Sequence, residues 1–123
     1  MTDSGRAVGQ LSARAQLFLR PPRFASLATL NTDGSPHQTV VWYLLRDELI
    51  VVNSLLGRRW PSNLRRDARF SLLVEDGLDY LALSGSAEEL SDAEQAQADI
   101  AAMARRYEEP LDAERLIETR FRP

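Results

Sequence analysis

Between Val51 and Val74 the chain reads VVNSLLGRRWPSNLRRDARFSLLV, which concentrates the residues best suited to holding an anion. A short apolar strand runs into Asn53, Ser54 and Gly57. Arg58, Arg59 and Trp60 follow, and Pro61 opens one or two helical turns that end at Asp67. Proline suits a first helical position, where its missing N–H would have had no partner. The expected picture is a strand end, two guanidiniums and a helix N-terminus converging on one place. Free backbone N–H groups, the helix dipole and planar Arg forks all favour a phosphate there. A phosphorylated small molecule is the expected ligand. Arg65 and Arg66 read either as a second anion-binding pair or as charges on a solvated turn. Asp67 is expected to cap or to pair with a neighbouring Arg.

Chemistry by the chain's own side chains is thin. There is no Cys, and His37 is the single His, so a metal site of His and Cys ligands has too few members. His37 reads as a hydrogen-bonding residue at a strand start or as a proton donor to substrate. No G-x-S-x-G elbow occurs, which argues against a hydrolytic triad. All 15 basic residues are Arg, so Lys-based Schiff chemistry is absent. This poverty suits a cofactor enzyme, in which the bound group carries the hard chemistry.

The elements that must position these residues follow from pattern. With 123 residues, 44% hydrophobic and 27% charged, the chain has the make-up of one ordinary globular domain. Leu11 to Leu19 reads as a short helix stopped by Pro21 and Pro22. Phe24 to Leu30 is a strand, Asn31-Thr32-Asp33-Gly34 a hairpin turn, and His37 to Leu45 the partner strand. Leu49 to Asn53, Phe70 to Glu75 and Tyr80 to Leu90 are the next three strands, with Asp76-Gly77 a turn. Ser91 begins a helix with Glu94 at capping-box spacing. Ala93, Ala96, Ile100, Met103 and Tyr107 mark its packing face. Arg115 to Phe121 reads as a final strand. The fold class is mainly β with flanking helices, a small barrel; the hydrophobic pattern also allows an OB-like barrel.

The net charge of −3 argues against general nucleic-acid binding. Single-strand binding needs aromatics interleaved with basic residues, and only Trp42, Tyr43 and Trp60 approach that. No apolar run reaches membrane-span length, and MTDSGRAVGQ lacks a signal-peptide core, so a cytoplasmic location is expected.

In order and spacing, ASLATLNTDGSPHQTVVWYLL, LIVVNSLLGRRWPSNLRRDARFSLLVED and YLALSGSAEEL resemble the pyridoxamine-phosphate-oxidase-like split β-barrel proteins. The branch they resemble is the deazaflavin-dependent one, the class B oxidoreductases that use coenzyme F420. The resemblance implies a single domain over residues 1–123. It would comprise an N-terminal helix and linker (1–22), barrel strands (24–90), a helix (91–109) and a last strand (115–122). It implies a homodimer whose cofactor lies in a groove between subunits. The ring would lie along Gln38, Thr39, Val40, Val41 and Trp42, largely on backbone contacts. The phosphate would meet Asn53, Ser54, Arg58 and Arg59, and an acidic glutamate tail would meet Arg65 and Arg66. Trp60 stands where many members carry Lys, which shifts phosphate binding onto Arg58, Arg59, Ser54 and the helix N-terminus. The implied activity is hydride transfer from reduced F420 to a small conjugated organic substrate. An FMN-binding oxidoreductase of the same fold and a non-enzymatic flavin- or deazaflavin-binding protein are the alternatives.

Overall fold

In the computed structural model, which describes residues 2–3, 11–46, 49–53, 59–89 and 93–107, the alternation of apolar residues becomes sheet directly. The elements in chain order are β1 (Thr2–Asp3), α1 (Ala13–Leu19), β2 (Ala25–Leu30), β3 (Pro36–Val41), β4 (Tyr43–Arg46), β5 (Leu49–Val52), α2 (Arg59–Arg66), β6 (Arg69–Glu75), β7 (Tyr80–Ser86) and α3 (Ala93–Tyr107). Five strands form one sheet in the order β1-β7-β6-β2-β3, while β4 and β5 form a separate two-stranded ribbon. Among the described residues these two sheets do not close into a barrel. The fold is mainly β with three helices packed on it.

One side of the larger sheet makes the core. Ala25 and Leu27 of β2, Val41 of β3, Leu72 and Val74 of β6, and Leu81 and Leu83 of β7 are buried together. These sit at every second position, as a half-buried strand requires. From α1, Ala15 and Leu19 join them at a four-residue spacing, one face of a helix, with Leu11 just before its cap. Ser12 caps α1 by accepting a hydrogen bond from the Ala15 N–H at 3.1 Å. The carbonyls at the other end of α1 are met from far away in sequence. Arg106 donates to the carbonyls of Leu19, Arg20 and Pro21, and the Tyr43 hydroxyl donates to Leu19 and Pro21. A cation at that end also opposes the negative pole of the helix dipole.

The β2–β3 hairpin forms as expected at Asn31–Gly34. Gly34 has φ +85°, the left-handed conformation that closes a three-residue loop with little steric cost to glycine. Asp33 ties the loop by accepting from the Ser35 N–H at 3.0 Å.

The expected strand from His37 to Leu45 is two strands in two sheets. The chain leaves the first sheet at Val41 and enters the second at Tyr43, with Trp42 the single residue between. Burial keeps its period across the break, Val41 and Tyr43 both lying in the core, so the pattern carries no trace of it. The physical cause is a change of partner. The Tyr43 N–H donates to the Tyr107 hydroxyl (3.3 Å) instead of to a strand.

Other boundaries shift less. β7 stops at Ser86, short of the expected Leu90, and β1 pairs in parallel with β7, which the sequence did not indicate. The proposed capping pair Ser91–Glu94 and the last strand at 115–122 lie wholly or partly outside the described residues.

Candidate functional site

Strand β3 is at an edge of its sheet, and among the described residues no strand pairs with its outer side. The hairpin fixes which backbone groups face that way. The Asn31 N–H donates to the Ser35 carbonyl at 2.8 Å. Facing pairs in an antiparallel ladder alternate between bonded and unbonded. In this register Thr29–His37 and Leu27–Thr39 are then bonded pairs, and the N–H and C=O of Gln38 and Val40 point away from β2. An alternating row of donors and acceptors is what the polar edge of a planar heterocycle can meet.

The side chains of β3 divide by face. Gln38 and Val40 are exposed, Val40 by 63%, on the outer face; Val41 is in the core; His37 and Thr39 are half-buried on the core side. His37 sits directly opposite Thr29 in the register. Trp42 stacks on Tyr107, so one face of its indole is engaged by α3.

Helix α2 packs against β2 on the core side of the sheet. It starts at Arg59, two residues before Pro61, which therefore occupies a third rather than a first position. The change costs little, because the N–H groups of a helix's first turn have no intrahelical acceptor. Its anchor is Asn63, which the sequence had not singled out. This side chain, 3% exposed, donates to the Thr29 hydroxyl at 3.0 Å and to Asn31 Oδ1 at 3.1 Å. Arg66 closes the clasp by donating to Asn63 Oδ1 at 3.0 Å and to the Leu30 carbonyl.

The arginines of this region therefore have different tasks. Arg65 forms a surface ion pair with Glu89 at 2.9 Å, which raises the guanidinium's pKa and lowers the carboxyl's, chiefly through their hydrogen bond. Arg66 holds the clasp. Arg69 grips Asp67, and that hydrogen bond is the main cause that brings the Asp67 carboxyl down to about 2. Arg59 is exposed at the start of α2, and no bond links it to another described side chain. Arg65 and Arg66, expected either as a second anion-binding pair or as charges on a solvated turn, both make contacts within the chain. Trp60 is 7% exposed and packs in the core, which leaves it little surface for a ligand.

At the end of β5, Asn53 turns toward α3 and donates to the Ala96 carbonyl at 2.9 Å. Ser54 and Arg58 lie outside the described residues. So the structure gathers an open strand edge at Gln38 and Val40, with His37 and Thr39 beside it. The helix N-terminus carrying Arg59 belongs to α2, which packs on β2 of the same sheet. These residues suit a planar ring and an anionic group. Among the described residues no cluster of His, Cys, Asp and Glu has the make-up of a metal site, and no helix is long and apolar enough to cross a membrane.

Comparison with known proteins agrees with the architecture. Residues 11–122 match the pyridoxamine 5'-phosphate oxidase family. A conserved hypothetical protein from Mycobacterium tuberculosis is 27% identical, with TM-score 0.70 over 88% of this chain and 73% of that one. A protein named F420 reductase is 23% identical, with TM-score 0.67 over 80% of this chain and 83% of that one. The heme storage protein HutZ from Vibrio cholerae shares the fold at 19% identity and TM-score 0.63, over 89% of this chain and 83% of that one. No curated protein matches the chain.

Proposed function

The chain belongs to the pyridoxamine 5'-phosphate oxidase family, and from that membership we propose an oxidoreductase that binds the deazaflavin coenzyme F420 and reduces a small conjugated substrate. The observation that carries the reading is the open edge of β3. There the backbone groups of Gln38 and Val40 would hold the polar edge of the ring, and Thr39 would flank it from the core side. Arg59 and the α2 N-terminus would receive the phosphate, joined by Ser54 and Arg58. When bound in its reduced form, the deazaflavin supplies a hydride.

The protein's part is to orient and to shield. A strand edge fixes the ring in one plane, because its donors and acceptors are spaced by the backbone and not by mobile side chains. His37, half-buried beside this edge, is the candidate to hold the proton that a reduced substrate takes up. The outer wall of such a groove needs a further surface. In this reading a second copy of the chain, forming a split-barrel homodimer, provides it.

FMN is the second reading, and one observation favours it. Arg65 and Arg66 are occupied by Glu89 and by the Asn63 clasp, so the acidic tail of F420 has fewer free cations than expected. FMN has a single phosphate and no such tail. On the other side stand the motif order described above and the F420 reductase that shares the fold. Fluorescence titration with F420 and with FMN separates the two. Tighter binding of F420 supports the deazaflavin reading, preference for FMN replaces it, and binding of neither contradicts both.

A further inference from the structure

One side of the five-stranded sheet forms the core. On the other side β6 presents Arg69, Ser71, Leu73 and Glu75, all exposed. Leu73, 44% exposed, stands between Ser26 of β2 and Ala82 of β7, and Ser71 between Ala28 and Ser84. Val40 and Gln38 extend the same two rows onto β3. These eight positions carry no charge, although 27% of the chain is charged. Depletion of charge marks the centre of an interface, and apolar side chains left on a sheet's outer face mark a surface that is covered in use.

We infer that this outer face pairs with the same face of a second copy, with β6 running antiparallel over its counterpart. The inference deepens the homodimer of the cofactor reading above and rests on that reading for the pair's role in the site. The order of side chains on β6 selects the arrangement. In one direction it reads cation, small, large, anion; in the other, anion, large, small, cation. A two-fold axis between the faces, crossing the strands at the middle of β6, sets each Leu73 over Ser71 of the second copy. It also sets each Arg69 over Glu75 of the second copy. Ala28 and Ser84, small residues beside Ser71, leave room for the incoming leucine. Stacking with the strands parallel would instead bring Arg69 onto Arg69 and Glu75 onto Glu75.

The geometry tolerates the crossing angle of packed sheets. Strands cross at about 30°, which three residues from the axis is an offset of ~5 Å, within reach of Arg and Glu side chains. Both groups retain bonding capacity. Arg69 holds Asp67 through Nε and one Nη, and a guanidinium has five N–H donors. Glu75 accepts from the Gly77 N–H with one carboxylate oxygen. In this pairing the two β3 edges lie one over the other. Each copy then supplies the outer wall of its neighbour's ring site.

Light scattering and sedimentation of the cofactor-free protein test the pairing. Wild type is expected to be a dimer. Leu73→Arg, at an exposed position, should keep the fold and raise the dimer dissociation constant at least about a hundredfold. Glu75→Arg and Arg69→Glu should each weaken the dimer roughly tenfold. Mixing these two variants should restore it as a heterodimer, because each copy then meets opposite charges at both ends. A monomeric wild type, with the face covered by residues 108–123 or by nothing, would overturn the inference. So would a dimer that tolerates Leu73→Arg, or a mixture no tighter than either variant alone. Leu73→Arg should also bind the cofactor roughly tenfold more weakly for want of the wall, and unchanged affinity in that monomer would overturn the pair's role in the site. A wild-type dimer that passes the charge test yet binds neither F420 nor FMN upholds the interface and removes the cofactor reading alone.

Discussion

Asn63 of α2 and Thr29 of β2 are joined by a 3.0 Å hydrogen bond between two side chains that are both almost wholly buried. That bond, with the contacts of Asn63 to Asn31 and Arg66, is what seats the helix bearing Arg59 against the hairpin bearing Gln38 and Val40.

Replacing Asn63 by Ala strips a partner from Thr29, Asn31 and Arg66 at once and leaves the Thr29 hydroxyl buried and unpaired. The expected loss of stability is about 2 kcal/mol, within the range for a buried polar group left unsatisfied. Denaturant unfolding of Asn63→Ala measures it. A change below about 0.5 kcal/mol, the scale of an ordinary surface substitution, would show that the clasp is not needed.

The Arg46–Asp99 pair joins the ribbon to α3, with Gln95 donating to the same carboxylate at 3.0 Å. In Arg46→Leu the carboxylate of Asp99 stays buried with one partner fewer. Loss of one partner of a fully buried pair costs ~3–5 kcal/mol, and the part-exposed Arg46 lowers the expectation to about 2 kcal/mol. Thermal unfolding of Arg46→Leu, and of Arg46→Leu with Asp99→Leu, distinguishes the two contributions. The double variant should recover part of the loss, because the unpaired charge is gone.

Acid should weaken the fold through its loop carboxylates. Asp67 titrates at about 2 in the folded chain, below its ordinary value of 3.8, because Arg69 hydrogen-bonds its charged form. Asp33 and Asp76 are lowered by hydrogen bonds within their turns, and Glu89 by Arg65. A carboxylate with a depressed folded pKa stabilises the folded state fully above its unfolded value. That contribution fades as pH falls toward the folded value. Thermal stability should hold above about pH 5 and decline as the pH is taken toward 2. Asp67→Asn should flatten the lower part of that decline, and stability that rises on acidification would contradict the assignment.

Much of this architecture is legible in the sequence, and the exceptions have physical causes. Asp33-Gly34 between apolar runs gave away the hairpin because glycine is the residue that adopts its positive φ easily. Alternation located the strands, yet the same alternation hid the break at Trp42, since Val41 and Tyr43 stay on one face through it. Tyr107 stood on the packing face of α3 by periodicity, but nothing in the sequence tells that its hydroxyl reaches Tyr43 and Arg23. The partners of Arg65 and Arg66 within the chain were hidden for a related reason. An exposed Arg on a short helix looks the same in sequence whether its partner is a ligand or Glu89. Asn63 was invisible because a lone Asn in a helix carries no signal until Thr29 and Arg66 surround it.

The loop arginines can be weighed by salt. Arg58→Ala with Arg59→Ala should weaken binding of the phosphorylated cofactor by about tenfold, and the remaining affinity should depend less on ionic strength than that of wild type. Isothermal titration at low and high salt measures both. An unchanged affinity would remove the proposed phosphate site.

The central claim is that the free backbone edge of β3 holds the cofactor ring, and Val40→Pro tests it most directly. The Val40 N–H points away from β2, so proline at this edge position removes that one donor and no ladder bond. The predicted result is a variant with near wild-type thermal stability whose affinity for the bound cofactor, F420 or FMN, falls by more than about tenfold. A stable Val40→Pro protein that binds the cofactor as tightly as wild type would contradict the account.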